Sequence, residues 1–380
     1  MQSRTLEREV TEYKGLRLRE SHRLVRVGGG GGHERAVDRE SDVTSRERVM
    51  AALSGAAVDR PPVSFWGHFY ERESSADDLV DATLESWRTF QWDWIKLNPR
   101  RQYHAEPWGV RWRYSGRAHE KPVLEEWPID APEDWFEITP RPADEGALGE
   151  QLQAVRRLRN ELPAEVPLIE TVFLPLAILR EMVPKPDDVL RALDKNPEAV
   201  RAALEAVTVT FERFVPKLLE AGADGIFFAT VDWATSHMLS AADHREWARP
   251  TDLRLMRAAA GASFVVLHVC KSDNLLAHVA DYPAHAFSWA ATDPSNPSLA
   301  EGLRLVKGAV MGGIAHEGAL QEPTPAAVLK ELHRAHAETG DRRWLVAPGC
   351  SIPPRTPAAN LHAVREAVEA LRTIRGGAPA

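Results

Sequence analysis

Short apolar runs and amphipathic helical stretches alternate along this chain eight times, and that rhythm restricts the fold more than any other feature. A strand that is followed by a helix and then by another strand pairs in parallel, because the helix carries the chain back along the sheet. The pattern predicts strands over 62–67, 93–98, 166–173, 226–230, 264–269, 286–289, 309–314 and 344–347. Helical spacing follows over 79–90, 146–161, 198–219, 241–259, 275–279 and 299–306, then from Thr324-Pro325 to His336 and from Thr356-Pro357 onward. Pro216 is expected to kink or end the fourth-strand approach helix early, and a helix boundary is expected before Pro250. Eight such units describe an α/β chain folded as a (β/α)8 TIM barrel. A doubly wound sheet would need a glycine-rich phosphate turn after its first strand, and Gly67-His68 does not supply one. Between 100 and 140 lie Trp108, Trp112 and Trp127 in a polar stretch, read as a small Trp-rich insertion after strand two. Its alternating 110–114 segment and Ser115-Gly116 suggest a hairpin.

The first 42 residues differ in character. They mix Arg and Glu and then run through five glycines, 28–32, whose backbone entropy opposes order. We expect residues 1–42 to be a flexible N-terminal extension, or non-native residues from an upstream start, with Leu16, Leu18, Leu24 and Val25 as a weak candidate for a docking strand. The barrel is expected over 43–376, beginning with a helix capped near Ser45 and stopped at Gly55. A net charge of -8 and the lack of a basic stripe after residue 45 exclude a nucleic-acid surface. No apolar run approaches the ~18 residues of a membrane span, and the start has no signal-peptide core. Two cysteines in 380 residues do not make a disulfide framework, so a cytoplasmic, reducing location is expected.

In a barrel of this kind the chemistry gathers at the carboxyl ends of the strands. His68 follows strand one, Lys96 and Asn98 end strand two, and Thr230 and Asp232 end strand four. Trp289 ends strand six, with His316 and Glu317 after strand seven. Both cysteines also fall at this mouth, Cys270 beside His268 after strand five and Cys350 after strand eight. Residues at i and i+2 share one face of a strand, so His268 and Cys270 can reach one ion. One imidazole and two thiolates form the ligand set of a catalytic zinc with an open fourth position, and their donor atoms should converge within ~4 Å. Blander readings accompany each residue. The cysteines can be small core hydrophobes, Lys96 a rim ion pair and Asp232 a turn cap. Trp66 and Trp289 can be core aromatics, and His68 a packing histidine. His333 and His336, on a polar helix, read as solvated surface.

Three segments carry a family resemblance. Arg46-Glu47-Arg48 with Ala51-Ala52-Leu53-Ser54-Gly55 and Asp59-Arg60-Pro61-Pro62-Val63 is similar to the opening of the uroporphyrinogen decarboxylase superfamily. Ala221-Gly222-Ala223-Asp224-Gly225 with Asp232 resembles its middle signature. Pro348-Gly349-Cys350-Ser351-Ile352-Pro353 with Thr356-Pro357 and Asn360-Leu361 resembles its closing one. The likeness spans roughly 44–372 and implies a barrel enzyme. Its decarboxylase branch needs no metal and holds an acidic tetrapyrrole with arginines and an aspartate near the first strand. Here that segment reads Phe65-Trp66-Gly67-His68-Phe69-Tyr70, without them. The cobamide-dependent methyltransferase branch carries His-x-Cys and a distant Cys as zinc ligands, matched by His268, Cys270 and Cys350.

The resemblance therefore implies zinc-dependent methyl transfer from a methylated corrinoid, often carried by a separate protein, to a thiol. Metal coordination would strip the thiol's proton at neutral pH. Asp232 and Lys96 would be catalytic, and His68, Asn98, Thr230 and Trp289 would bind substrate. Decarboxylation of uroporphyrinogen or another acidic substrate, in porphyrin biosynthesis, is the alternative. A non-catalytic corrinoid- or ligand-binding barrel is a third reading. A homodimer, formed through the Trp-rich insertion, is also compatible with the sequence.

Overall fold

The computed structural model describes residues 43–340 and 342–372. Seven strands run parallel in one sheet: β1 (Ile95–Leu97), β4 (Leu168–Phe173), β5 (Gly225–Ala229), β6 (Phe264–Val269), β7 (Ala286–Trp289), β8 (Ala309–Ile314) and β9 (Trp344–Pro348). Each pairs with its neighbour in that order, and helices cover the outside. The molecule is a (β/α)8 barrel. Every residue of β1, β5, β6, β7, β8 and β9 is buried, as expected of parallel strands covered on both faces. Alternation sorts their side chains into two cores. Ile169, Phe227, Phe264, Val266, Met311 and Leu345 point into the barrel, with Trp66 and Trp94. Leu168, Val172, Ile226, Phe228, Leu267 and Val310 face the helices. The first helix, Ser45–Ser54, packs against β8 and β9 and adds Val49 and Ala52 to the inner cluster.

The predicted first strand is the main correction. Residues 62–67 make isolated parallel bridges, Val63 with Val346 and Gly67 with Ile352, rather than a ladder. Pro61 and Pro62 have no N–H to donate. The Val63 N–H is taken by the Asp93 carboxylate at 2.8 Å instead of by a carbonyl. The segment still closes the barrel. Val346 N–H donates to the Pro62 carbonyl (2.8 Å) and Ser64 N–H to the Val346 carbonyl (3.2 Å) on one side. On the other side Asp93 N–H donates to the Val63 carbonyl (2.9 Å), and the Ser64 hydroxyl to the Trp94 carbonyl (2.7 Å).

Buried charge holds this closure. Asp93 accepts from Arg48 (2.8 Å) and from Arg60 (2.6 and 3.1 Å), while Arg48 also forms a two-pronged pair with Asp59 at 2.8 and 2.7 Å. Arg48, Asp59, Arg60 and Asp93 are all at least nine-tenths buried. Two guanidiniums facing two carboxylates cancel charge, and the bonds replace the water each group loses. The motif Arg46-Glu47-Arg48 with Asp59-Arg60-Pro61 is therefore the clamp of the barrel's closing segment. Asp224 of the middle signature is likewise structural. It accepts from Leu168 N–H (2.8 Å), Arg46 (2.7 Å) and Arg159 (3.2 Å), which ties the start of β5 to β4. Gly225 follows because a Cβ there would meet the Phe264 carbonyl oxygen at 2.1 Å.

Other expectations shift by smaller amounts. The helix Pro197–Glu220 continues through Pro216 rather than ending early, flanked by buried Phe211, Phe214, Val215 and Leu218. A five-residue π-helix at 244–248 breaks the next helix, which resumes at Arg249 with Pro250 in its first turn, as the expected boundary requires. Two helices, Pro175–Arg180 and Pro186–Lys195, were not predicted. The insertion does contain a hairpin, β2 (Arg111–Arg113) with β3 (Val123–Glu126), antiparallel but joined by a longer loop than Ser115-Gly116 alone. Trp108 is core, with its indole N–H bonded to the Thr139 carbonyl at 2.8 Å. The expected extension, 1–42, and its candidate docking strand lie outside the described residues. Among the described residues, no helix is long and apolar enough to cross a membrane.

His104 docks the insertion onto β4. It is fully buried and stacks on Phe173 at 3.9 Å. Nδ1 must donate to the Arg101 carbonyl (2.7 Å), and Nε2 accepts from the Phe173 N–H (2.9 Å), so the ring is neutral. Burial pushes its pKa down to about 3.

Two predictions follow from these buried groups. Asp93→Ala removes a buried partner from both Arg48 and Arg60 and the acceptor of the Val63 N–H, and should lower unfolding free energy by roughly 3–5 kcal/mol, read as a lower urea midpoint; an unchanged midpoint contradicts the clamp. His104 binds a proton in the unfolded chain below about 6.5 but not in the fold. The fold therefore loses stability as pH falls from there toward 3, by roughly 1 kcal/mol per unit for this residue. His104→Leu should flatten the stability–pH slope between pH 6 and 5 by about that amount, and an unaltered slope would show that His104 does not set it.

Candidate functional site

The inner face of β6 runs Phe264, Val266, His268, and two residues further comes Cys270. The first two are apolar and fill the barrel. The last two reach its carboxyl end, where the packing opens into a cavity of about 550 Å³. β9 ends at Pro348, and Gly349-Cys350 turns across the mouth, held by the Gly349 N–H on the Ile314 carbonyl (2.9 Å). One nitrogen of His268 and the sulfurs of Cys270 and Cys350 lie within 4.8 Å of one another, somewhat looser than the ~4 Å expected. His268 and Cys270 are buried and Cys350 half-buried.

The donor chemistry suits a soft divalent ion. His268 places Nδ1 3.1 Å from the Ser288 hydroxyl, which leaves Nε2 for a ligand and fixes the ring. A hydrogen bond from Cys270 holds the Cys350 thiol well below its usual range, against burial and with help from His268. The same hydrogen bond, with burial, pushes Cys270 up. The two sulfurs thus stand side by side within hydrogen-bonding reach. Among the described residues this is the one group of three or more His, Cys, Asp or Glu side chains placed to hold an ion.

Lys96 lies on the cavity floor, with Nζ 4.5 Å from the centre of the Phe227 ring and 5.2 Å from that of Trp66. Burial lowers its pKa to about 7, although Cys350, Glu170 and Cys270 pull it up. Its ammonium donates to Asn98 Oδ1 at 2.5 Å, and Asn98 Nδ2 donates to the Gly67 carbonyl at 3.1 Å. His68 lines the same cavity, stacked on Tyr70 at 5.2 Å and bonded through Nδ1 to Glu73 at 2.8 Å. Lys96, Asn98, His68 and the sulfur–imidazole trio therefore share one space.

Three expected site residues stand elsewhere. Trp289 is fully buried on the outer face of β7. Its indole donates to the Pro297 carbonyl (2.7 Å), and its ring sits where a Cβ on Gly302 would be, 2.2 Å away. The strand's alternation turns it away from the mouth. The Thr230 hydroxyl is taken by the His268 carbonyl at 3.3 Å, and Thr230 does not line the cavity. Asp232 stands at the rim, 3.8 Å from Lys271, close enough to act on Arg101 and Cys270 through its charge but outside the cavity lining.

Other lining residues were not anticipated. Arg101, paired with Glu181, and Arg180 come from the insertion and from the unpredicted helix 175–180. Arg355 and His316 also line the rim. The absence of arginines from 65–70 thus does not leave the cavity without them. Arg101 looks like any loop arginine in the sequence, and only the fold brings it here. Val231 adopts a left-handed conformation, φ 51°, directly after β5, which is strained for a β-branched side chain, and Lys271 (φ 70°) does the same after β6.

A barrel with His268, Cys270 and Cys350 gathered at the mouth of its strands has the layout of an enzyme site, and comparison gives the family. The uroporphyrinogen decarboxylase (URO-D) family pattern matches residues 44–371, and the chain belongs to that family. Methylcobamide:CoM methyltransferase MtaA from Methanosarcina barkeri is 22% identical over 341 residues, spanning 85% of this chain and 97% of that protein. The chloroplastic uroporphyrinogen decarboxylase 2 of Arabidopsis thaliana is 23% identical over 265 residues, 63% of this chain and 64% of that one. Among solved structures, a methyltransferase from Methanosarcina mazei superposes with a TM-score of 0.76 at 20% identity, covering 87% of this chain and all of that one. Members of this family are enzymes, methyltransferases and decarboxylases alike.

If zinc occupies this trio, Ser288→Ala should weaken its binding by roughly 10–100-fold, measured by competition with a chromophoric chelator at constant pH. Affinity equal to that of the unaltered protein would mean that Ser288 does not orient the imidazole.

Proposed function

We propose that this protein transfers a methyl group from a methylated corrinoid to a thiol, with zinc held by His268, Cys270 and Cys350. The observation that supports this reading most is the gathering of three soft donors, from two strand ends, at a cavity large enough for a small substrate. Bound there, zinc would supply a Lewis acid that lowers the pKa of an entering thiol. The chain's own residues supply the rest. Lys96, half-protonated near neutrality, can accept the thiol's proton or steady its developing charge, and Asn98 fixes the ammonium by accepting its hydrogen bond. Trp66 and Phe227 keep water from Lys96. Asp232 at the rim acts on the field around Arg101 and Cys270. His68, oriented by Glu73, forms the opposite wall. The corrinoid would arrive on a separate protein, and two unpaired cysteines fit a reducing, cytoplasmic setting.

Lys96, Arg101 and Arg180 also favour an acidic substrate, which keeps a decarboxylase as the second reading. That chemistry would not require the cysteines. In the methyl-transfer reading, purified protein carries about one zinc per chain and methylates a thiol from methylcobalamin. Cys270→Ala and Cys350→Ala each lose the zinc and lower the rate at least ~100-fold, the scale of losing a Lewis acid. Release of carbon dioxide from uroporphyrinogen, undiminished in both variants, would reverse the order of the two readings. Methylation of any thiol removes the non-catalytic, binding-only reading.

A further inference from the structure

The barrel wall has an open seam. Beyond the Ser64–Trp94 contact, no backbone hydrogen bond among the described residues joins 65–67 to 95–98. The tie across it is a side chain, Asn98 Nδ2 to the Gly67 carbonyl. A second cavity, of about 360 Å³, lies outside this seam, against the helix Ala76–Phe90 and the start of the helix Ala358–Ala370. Its volume lies at the lower end of the ~300–1,000 Å³ usual for small-ligand sites. Trp66, His68, Lys96, Asn98, Ile352 and Pro353 line both this cavity and the cavity that holds His268, Cys270 and Cys350, so these residues stand between the two at the seam.

Apolar side chains form much of the second compartment, alongside the polar Glu71, Glu85, His68, Lys96 and Asn98. Phe65, Phe69, Phe90, Trp92, Ile95 and Leu361 form its walls. Four of its polar side chains already have partners within the protein. Ser64 donates to the Trp94 carbonyl, Thr83 to the Leu79 carbonyl (2.8 Å) and Thr89 to the Glu85 carbonyl (2.8 Å), while Ser86 accepts from the Trp92 indole (3.3 Å). A polar ligand group placed against these four would lose its bonds to water and gain little in exchange. An aromatic or branched aliphatic group loses nothing and buries its surface against rings.

We propose that this second cavity binds an apolar, ring-bearing part of a small molecule whose polar end passes the seam beside Lys96 and Asn98 into the metal cavity. The proposal rests on the reading of the metal cavity as a thiol-methylating centre, and within that reading it names the acceptor. The acceptor is a thiol with an aryl or bulky alkyl substituent, not a small hydrophilic thiol.

Calorimetric titration of the full chain, incubated with zinc, tests this with 2-phenylethanethiol, 2-mercaptoethanol and the thiol-free 2-phenylethanol. The aryl thiol should bind at least ~10-fold tighter than 2-mercaptoethanol, the least that burial of a ring supplies. Ala82→Leu, inside the compartment, and Thr89→Trp, at its exposed rim, should bring that preference to within about 3-fold. Thr89 is exposed, so its variant keeps the fold if Ala82→Leu does not. 2-Phenylethanol should bind with one-to-one saturation and be unaffected by Cys350→Ala. Equal affinities for the two thiols, a preference that both filled variants retain, or no saturable binding of 2-phenylethanol each overturns the proposal. Failure of the metal reading has its own mark: thiol affinities that do not change in Cys350→Ala, while the aryl preference still responds to Thr89→Trp.

Discussion

A carboxylate buried between two guanidiniums holds this barrel shut. The segment 61–67 is too poor in N–H donors to form a full strand, and its proline pair removes two of them. Asp93 compensates by taking the Val63 N–H and anchoring Arg48 and Arg60. Each of these ions pays several kcal/mol in lost hydration, which only dense hydrogen bonding can offset. The arrangement is consequently intolerant of losing any one member. Its effect reaches the other end of the barrel. With Val63 and Ser64 fixed, Trp66 turns into the interior, and Gly67 comes beside Ile352 and Asn98. The loop that bears Cys350 and the lysine that faces it are therefore positioned by the same segment.

The mouth follows a different electrostatic logic. Charge in the clamp is paired and silent, whereas charge at the mouth is left incompletely paired. Cys350 is held low by its hydrogen bond with Cys270, and burial lowers the Lys96 pKa to about 7 beside two aromatic rings. Glu181 binds Arg101 yet keeps its second oxygen without a protein partner. Such unfinished pairing costs stability and is characteristic of sites that bind ions or substrates. The strained backbones of Val231 and Lys271, directly after β5 and β6, fall at the same rim.

The sequence made the period of the fold legible because parallel strands are buried on both faces and appear as unbroken apolar runs. The gathering of His268, Cys270 and Cys350 was legible for a related reason. The spacing of His268 and Cys270 fixes their common face, and there are no other cysteines to choose from. Trp289 was misread because a strand-end position does not say which face a side chain takes; the outer helices took this one, at Gly302. Thr230 failed for another reason, since a hydroxyl at a strand end can bond the neighbouring carbonyl. Arg101 and Arg180 were invisible because they lie on an insertion and on a short unpredicted helix, which lack the periodicity of the barrel. The open seam was also hidden, since it depends on which ladder bonds the first segment fails to make.

These locations explain why likeness to the family stops short of naming a reaction. The opening and middle signatures are occupied with the clamp and with Asp224, both of which brace the barrel rather than touch the cavity. They would serve any chemistry carried by the same frame, so near-equal identity to a methyltransferase, 22%, and to a decarboxylase, 23%, is what such shared bracing produces. Discrimination must come from the mouth. There His268, Cys270 and Cys350 lie together in a cavity that also takes in Lys96 and that shares its wall at the seam with a second compartment. A decarboxylase of acidic substrates has use for the cations of this site but none for paired sulfurs. A thiol methyltransferase has use for both, and the seam beside Lys96 would then be the place where the acceptor's apolar part leaves the reacting centre.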